Sequence, residues 1–115
     1  MDFWKRETQE YTVRANRGKP RIWLEGRRLE FAGFECGGRF EIGTEIGYGG
    51  AKVLVLTALP DCVGLLSGKA RKVSGKNHRP IIDISGASCA PFVTGDKVQI
   101  NYCDNGVIVI EGVKE

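Results

Sequence analysis

Residues 11–26 read YTVRANRGKPRIWLEG, and residues 71–86 repeat them without a gap as RKVSGKNHRPIIDISG. Four positions are identical: Val13 and Val73, Pro20 and Pro80, Ile22 and Ile82, Gly26 and Gly86. Lys19 and Arg79 match in charge. Each copy carries an apolar strand end, a polar turn, a proline, a second apolar strand and a glycine. An internal repeat constrains architecture strongly, because each copy must find a partner for the surface it cannot bury alone. At 115 residues the chain has single-domain length, and half of it is too short to bury a sufficient core. The repeat therefore predicts one barrel domain over residues 1–115, with two similar halves sharing a core.

Local patterning gives each half the order β-β-(short helix)-β-β. The first repeat spans residues 10–58. Strands are expected at 10–14 and 21–25 around a turn over 15–20, where Asn16 and Gly18 tolerate positive φ. In the second strand Ile22 and Leu24 point to one face, Arg21 and Trp23 to the other. RRLEFA, residues 27–32, fits a short helix with Leu29 inward and Arg27, Arg28 and Glu30 outward. Gly33 stops it, and Phe34 packs back. A strand over 39–43 and the glycine-rich turn EIGYGG over 45–50 lead to AKVLVLTA, residues 51–58, whose apolar run predicts a strand buried on both faces. Residues 59–69, with Pro60, Asp61, Gly64 and Gly68, form a connector. The second, degenerate repeat covers 70–111. Its strands are expected at 70–74 and 81–85 around a turn over 75–80. ASCAPF, residues 87–92, replaces the short helix and lacks both arginines. Strands at 97–102 and 107–111 flank the hairpin signal Asp104-Asn105-Gly106. Residues 1–10 are either a frayed end or a short arm packing Phe3 and Trp4. The doubled order predicts a mainly β fold, an eight-strand barrel closed by interleaved hairpins.

The formal net charge is only +3, but its distribution is uneven. No acidic residue occurs from 13 to 24, where Arg14, Arg17, Lys19 and Arg21 lie, or from 62 to 82, where Lys69, Arg71, Lys72, Lys76 and Arg79 lie. A charge run is ordinarily a solvated face. Two matched, acid-free basic hairpins also suit a polyanion. The four cysteines (Cys36, Cys62, Cys89, Cys103) are widely and irregularly spaced, and the single histidine is His78. No metal-ligand spacing is present, and no cofactor is expected. The cysteines read as small apolar residues of a reducing compartment. His78 lies in a turn with no nucleophile or carboxylate at triad spacing, so no catalytic set is assigned. EIGYGG lacks the Lys and Ser/Thr of a phosphate loop. No apolar run reaches the roughly 20 residues of a membrane helix, and MDFWKRETQE has no secretory pattern. A cytoplasmic protein without membrane contact is expected.

PRIWLEGRRLEFAGFECGGRFEI, residues 20–42, resembles the swapped-hairpin superfamily of AbrB, MazE and SpoVT, and within it the SymE-like proteins. The elements that carry the resemblance are Gly26-Arg27-Arg28-Leu29, Ala32-Gly33-Phe34, Gly37-Gly38 and Arg39-Phe40-Glu41-Ile42, followed by a strand over 53–57. It covers residues 11–57 well and 71–111 weakly. The resemblance implies an AbrB-like β-barrel in which hairpins of two copies interleave. Here both copies lie in one chain, so it implies a pseudo-dimer, closed within a monomer or swapped into a homodimer. It further implies DNA binding and transcriptional regulation through Arg14, Arg17, Lys19, Arg21, Arg27 and Arg28. In the second copy only the hairpin cations Lys72, Lys76 and Arg79 persist, which argues against palindromic reading. Antitoxin members add a toxin-wrapping tail; the chain stops shortly after its last expected strand, so that role is not expected.

Three uses are open on the sequence. The first is a DNA-binding regulator in which lysines meet phosphates and Arg27 and Arg28 meet base edges, unless the two arginines pair with Glu25 or Glu30. The second is a SymE-like toxin acting on RNA. The third is a protein-interaction barrel docking through Cys89, Ala90, Pro91 and Phe92. Trp23 either packs on the sheet or stacks on a base. Its counterpart is Asp83, so it acts once.

Overall fold

The computed structural model describes residues 6–46, 50–59, 71–76 and 78–113. The first half supplies β1 (Arg6–Thr12), β2 (Arg14–Asn16), β3 (Lys19–Glu25), α1 (Arg27–Phe31), β4 (Arg39–Ile46) and β5 (Lys52–Leu59). The second supplies β6 (Arg71–Lys72), β7 (Ser74–Lys76), β8 (Arg79–Ser85), a 3₁₀ turn (Gly86–Cys89), β9 (Lys97–Cys103) and β10 (Val107–Gly112). The strands form two antiparallel sheets, ordered β1-β9-β10-β5-β4-β6 and β2-β3-β8-β7.

Each half lends strands to the other. β1 pairs with β9 along its whole length, and β6 pairs with β4. β3 and β8 pair at the centre of the smaller sheet, β5 and β10 at the centre of the larger. In the smaller sheet Trp23 lies opposite Asp83, its own counterpart in the repeat. In the larger sheet Val55 lies opposite Val109, which holds the same place in its half. A pseudo-twofold axis passes through both pairs.

Three of the four identical pairs of the repeat occupy positions this arrangement needs; Pro20 and Pro80 lie in β3 and β8, opposite Ala15 and Gly75. Val13 and Val73 sit at corners where the chain leaves the larger sheet for the smaller, each 1% exposed. A corner interrupts the ladder, so its backbone groups need other partners. The Val13 N–H donates to the Asp96 carbonyl at 2.8 Å, and the Val13 carbonyl accepts from the Gly95 N–H at 2.8 Å. Val73 does the same with Gly38 and Gly37, at 2.8 and 2.9 Å. Ile22 and Ile82 lie in the core. Gly26 and Gly86 turn the chain at φ 91° and 67°, in the left-handed region.

The inner faces of the sheets make the core. Ile22, Leu24, Ile82 and Ile84 of the smaller sheet meet Leu54, Leu56, Ile100, Ile108 and Ile110 of the larger, with Leu29 and Phe34 from the helix and its exit. Each such side chain contributes about 1.5–3 kcal/mol when buried. Helix α1 ends as the sequence predicts. Gly33 has φ 89°, the Phe34 N–H reaches the Leu29 carbonyl at 2.8 Å, and Phe34 is buried.

Several expectations are corrected. The strand ladders do not close into a ring. They form two sheets joined at the Val13 and Val73 corners, and those corners split each leading strand, giving ten strands among the described residues rather than eight. Residues 6–10 are not a frayed end but most of β1; Phe3 and Trp4, the aromatics of the expected packing arm, lie outside the described residues. The first turn is two residues, not six. Asn16 pairs with Lys19, leaving Arg17 and Gly18 at φ 54° and 78°, as a primed hairpin turn requires. β5 is fully buried on the face of Leu54 and Leu56; on its other face Val53 is buried, Val55 half-buried and Thr57 exposed, so the expected burial on both faces holds only at its start. The expected connector lies outside the described residues except Leu59, which belongs to β5; so does the centre of the EIGYGG turn. No helix among the described residues is long and apolar enough to cross a membrane.

Candidate nucleic-acid interface

Alternation along β3 decides what its outer face carries. Because Ile22 and Leu24 turn inward, Arg21, Trp23 and Glu25 turn outward. Antiparallel pairing then brings Asp83 of β8 opposite Trp23 and diagonal to Arg21. Arg21 Nε and Nη2 donate to the two Asp83 carboxylate oxygens at 2.8 Å each, a fork-on-fork pair. The same guanidinium lies 4.7 Å from the centre of the Trp23 ring, a cation–π contact worth about 0.5–1 kcal/mol at an exposed site. The hydrogen bond to Asp83 is also the main reason the Arg21 pKa is raised. Arg21 is therefore committed: it holds the indole, and its charge is balanced.

Trp23 is 36% exposed and forms one wall of a cleft of about 670 Å³. Gln9 and Tyr11 of β1, Arg14 and Ala15 of β2, Arg21 to Glu25 of β3, and Arg28 of α1 line the rest, Ile22 excepted. The cleft is held from below. β3 runs on past the end of β2, so the Trp23 N–H has no ladder partner on that side; it donates to the Tyr11 hydroxyl at 3.0 Å. The Tyr102 hydroxyl, reaching up from β9, donates to Gln9 Oε1 at 2.7 Å. Arg14 and Arg28 are exposed, and neither has an ion-pair partner among the described residues. The pairing of Arg27 or Arg28 with Glu25 or Glu30 is not formed among them either.

Of the residues singled out from sequence, Arg14, Arg21 and Arg28 converge on this cleft. Arg17 stands at the hairpin tip in a left-handed conformation that turn chemistry reserves for Asn or Gly. Arg27 is exposed on α1. Lys19 and Arg79 turn away across the pseudo-twofold axis. The Lys19 stem lies over Gly86, and the Arg79 guanidinium lies over Gly26, where a Cβ would come within 3.2 Å of Nη2. Their shared charge accompanies a shared packing role. Arg71 donates to the Ser88 hydroxyl, and Lys72 is exposed on β6. Lys76 is on β7 opposite Arg79. Lys69 lies outside the described residues.

Because β3 and β8 run antiparallel, the two basic hairpins point to opposite ends of the smaller sheet rather than side by side. At about 3.3 Å per residue their first strand residues lie roughly 25 Å apart along the sheet. The cleft residues sequence reasoning missed are Gln9, Tyr11 and Glu25, and it missed Asp83 as the anchor of Arg21. Nothing in the repeat marks position 23 as the one that lies on the axis, so its pairing with Asp83 comes from the tertiary register alone.

A second concavity of about 500 Å³ runs beside the 3₁₀ turn, lined by Lys19, Pro20, Gly86, Ala87, Ala90, Pro91, Phe92 and Val93. The apolar docking surface expected there is revised in part: Cys89 and Phe92 are 0% and 7% exposed, while Ala90 and Pro91 are exposed and Val93, at 59%, joins them. Cys89 Sγ donates to the Ile84 carbonyl at 3.3 Å, and burial pushes its thiol up. No protein-family model matches the chain, and no curated protein and no solved structure matches it.

Proposed function

We propose that the chain is a nucleic-acid-binding protein on an AbrB-like, swapped-hairpin arrangement of its two repeats, working as a DNA-binding regulator. What supports the architecture is the exchange of leading strands, β1 onto β9 and β6 onto β4, about an axis through Trp23–Asp83 and Val55–Val109. The observation that carries the function is the cleft whose lining holds a part-exposed indole and two arginines, Arg14 and Arg28, that have no ion-pair partner among the described residues. Arg14 and Arg28 outnumber the Glu25 carboxylate in the same lining, and Asp83 is taken up by Arg21, so an anion entering it meets a net positive cleft. Arg17 at the hairpin tip and Arg27 on α1 are exposed outside that lining.

The test is fluorescence anisotropy with labelled nucleic acids across a salt series. Counterion release makes the logarithm of the binding constant fall linearly with that of salt concentration. Arg14→Ala and Arg28→Ala are each expected to weaken binding and to reduce the slope by about one. Arg79→Ala, whose guanidinium packs on Gly26, is expected to leave the slope unchanged. Salt-independent binding, or equal slopes in all variants, would remove the reading.

The groove at the 3₁₀ turn favours a second reading, docking of another protein, because Val93 is an exposed apolar residue beside Pro91. Val93→Asp leaving nucleic-acid affinity intact while abolishing a protein interaction would support it. The RNA-acting reading rests on the SymE-like resemblance; growth inhibition on expression, abolished by mutating His78 or the arginines, is the outcome that would favour it.

A further inference from the structure

We propose that the cleft takes one unstacked nucleotide of a single-stranded nucleic acid, its base lying on the Trp23–Arg21 platform and its neighbouring phosphates against Arg14 and Arg28. This rests on the nucleic-acid reading above and narrows it to a ligand class.

Size is the first reason. About 670 Å³ falls within the 300–1,000 Å³ of sites that enclose a small molecule. The chemistry of an indole is the second. It offers a wide π-face and a single N–H donor, so it reads the donor–acceptor pattern of a duplex groove poorly. In a duplex the base faces are covered by their neighbours and only edges are presented. In a single strand the faces are open, and stacking on an aromatic ring or a guanidinium plane is the usual mode of capture.

The platform is built in advance. Two 2.8 Å hydrogen bonds fix the Arg21 guanidinium to Asp83, and that guanidinium lies 4.7 Å from the centre of the indole ring. The Tyr11 hydroxyl fixes the Trp23 backbone. A base therefore meets a surface whose ordering is already complete, which lowers the entropic cost of binding.

The repeat supplies the third reason. A duplex reader with twofold symmetry would present the platform twice. Trp23 instead faces its own counterpart across the axis, and that counterpart is a carboxylate. Ser74 and Ser88 stand where Arg14 and Arg28 stand in the first half. The second half therefore lacks both the indole and the two arginines, which leaves the strand on the first-repeat side, with one nucleotide platform per chain.

The chain has two tryptophans, Trp4 and Trp23, so in a Trp4→Phe background the intrinsic fluorescence reports Trp23 alone. The probes are a single-stranded DNA of about twelve nucleotides, the RNA of the same sequence, the corresponding DNA duplex, and an abasic strand with the same number of phosphates. Expected are quenching of Trp23 by a single strand, DNA or RNA, and roughly tenfold weaker binding of the duplex and the abasic strand. Trp23→Ala should lose that advantage. Trp23→Phe, which retains a stacking ring and an unchanged thermal transition, should keep most of it. If the duplex binds as tightly as the single strands, with Trp23 unquenched, this inference fails while the nucleic-acid reading survives. If no probe binds at low salt, both fail.

Discussion

Tyr102 shows how one buried group ties the cleft to the fold. It is 1% exposed, it stands beneath the cleft, and its hydroxyl holds Gln9. Burial disfavours the phenolate and pushes the Tyr102 pKa from its ordinary 10.0 up to about 12. A folded-state value raised above the unfolded one gives stability that is complete below pH 10 and lost as pH rises towards 12. Urea midpoints below pH 10 and near pH 12 should therefore diverge in the native chain. In Tyr102→Phe they should diverge less, against a background loss of about 1 kcal/mol for the missing hydrogen bond. An undiminished alkaline fall in the variant would show that other groups cause it.

Among the elements, the hairpin of β7 and β8 seats against the loop that leads into β4. Gly75 of β7 has no room for a side chain: a Cβ there would lie 2.3 Å from Cys36 Sγ and 3.2 Å from the Arg79 carbonyl oxygen. Gly75→Ala is expected to cost about 1–3 kcal/mol through overpacking. Adding Cys36→Gly should recover part of that loss, since the sulfur is the nearest obstacle and the carbonyl remains. The two positions belong to different repeats, so their coupling in a double-mutant cycle measures the interleaving directly. Additive effects would place the hairpin elsewhere. At the other hairpin, Arg17 occupies a positive-φ site better suited to Asn or Gly, which fits a residue kept at the tip for its charge.

For the whole molecule, the interleaving means that neither half owns a complete sheet. β1 is hydrogen-bonded to β9 and β6 to β4, so a chain cut between the repeats leaves each piece with an orphaned leading strand and an open core. Fragments 1–59 and 60–115 are expected to show no cooperative unfolding as isolated monomers. Mixed together they should form a 1:1 complex with a single transition, read by circular dichroism and sedimentation. A cooperative monomeric fragment would refute the shared core.

The residues themselves determined the local pattern: strand faces, the short helix with Leu29 inward and Gly33 at its end, and the two-copy organisation. Such features depend on alternation, turn chemistry and capping, which act within a few residues. Of the identities of the repeat, Val13, Ile22 and Gly26 with their partners sit at corners, core positions and turns, while Pro20 and Pro80 lie in β3 and β8 just past the hairpin turns. The residues that differ, Arg14, Trp23 and Arg28 against Ser74, Asp83 and Ser88, make the cleft. Basic clustering placed Arg14 and Arg21 among the candidates and the family resemblance added Arg28, yet neither gave a sign that Asp83 commits Arg21 or that Lys19 and Arg79 turn away over glycines. Those outcomes depend on which strand lies beside which. Pairings such as Trp23 with Asp83 join residues sixty positions apart in the chain, and no local propensity selects between long-range registers. Only burial of one continuous core between the two sheets, satisfied when the repeats exchange their leading strands, decides among them.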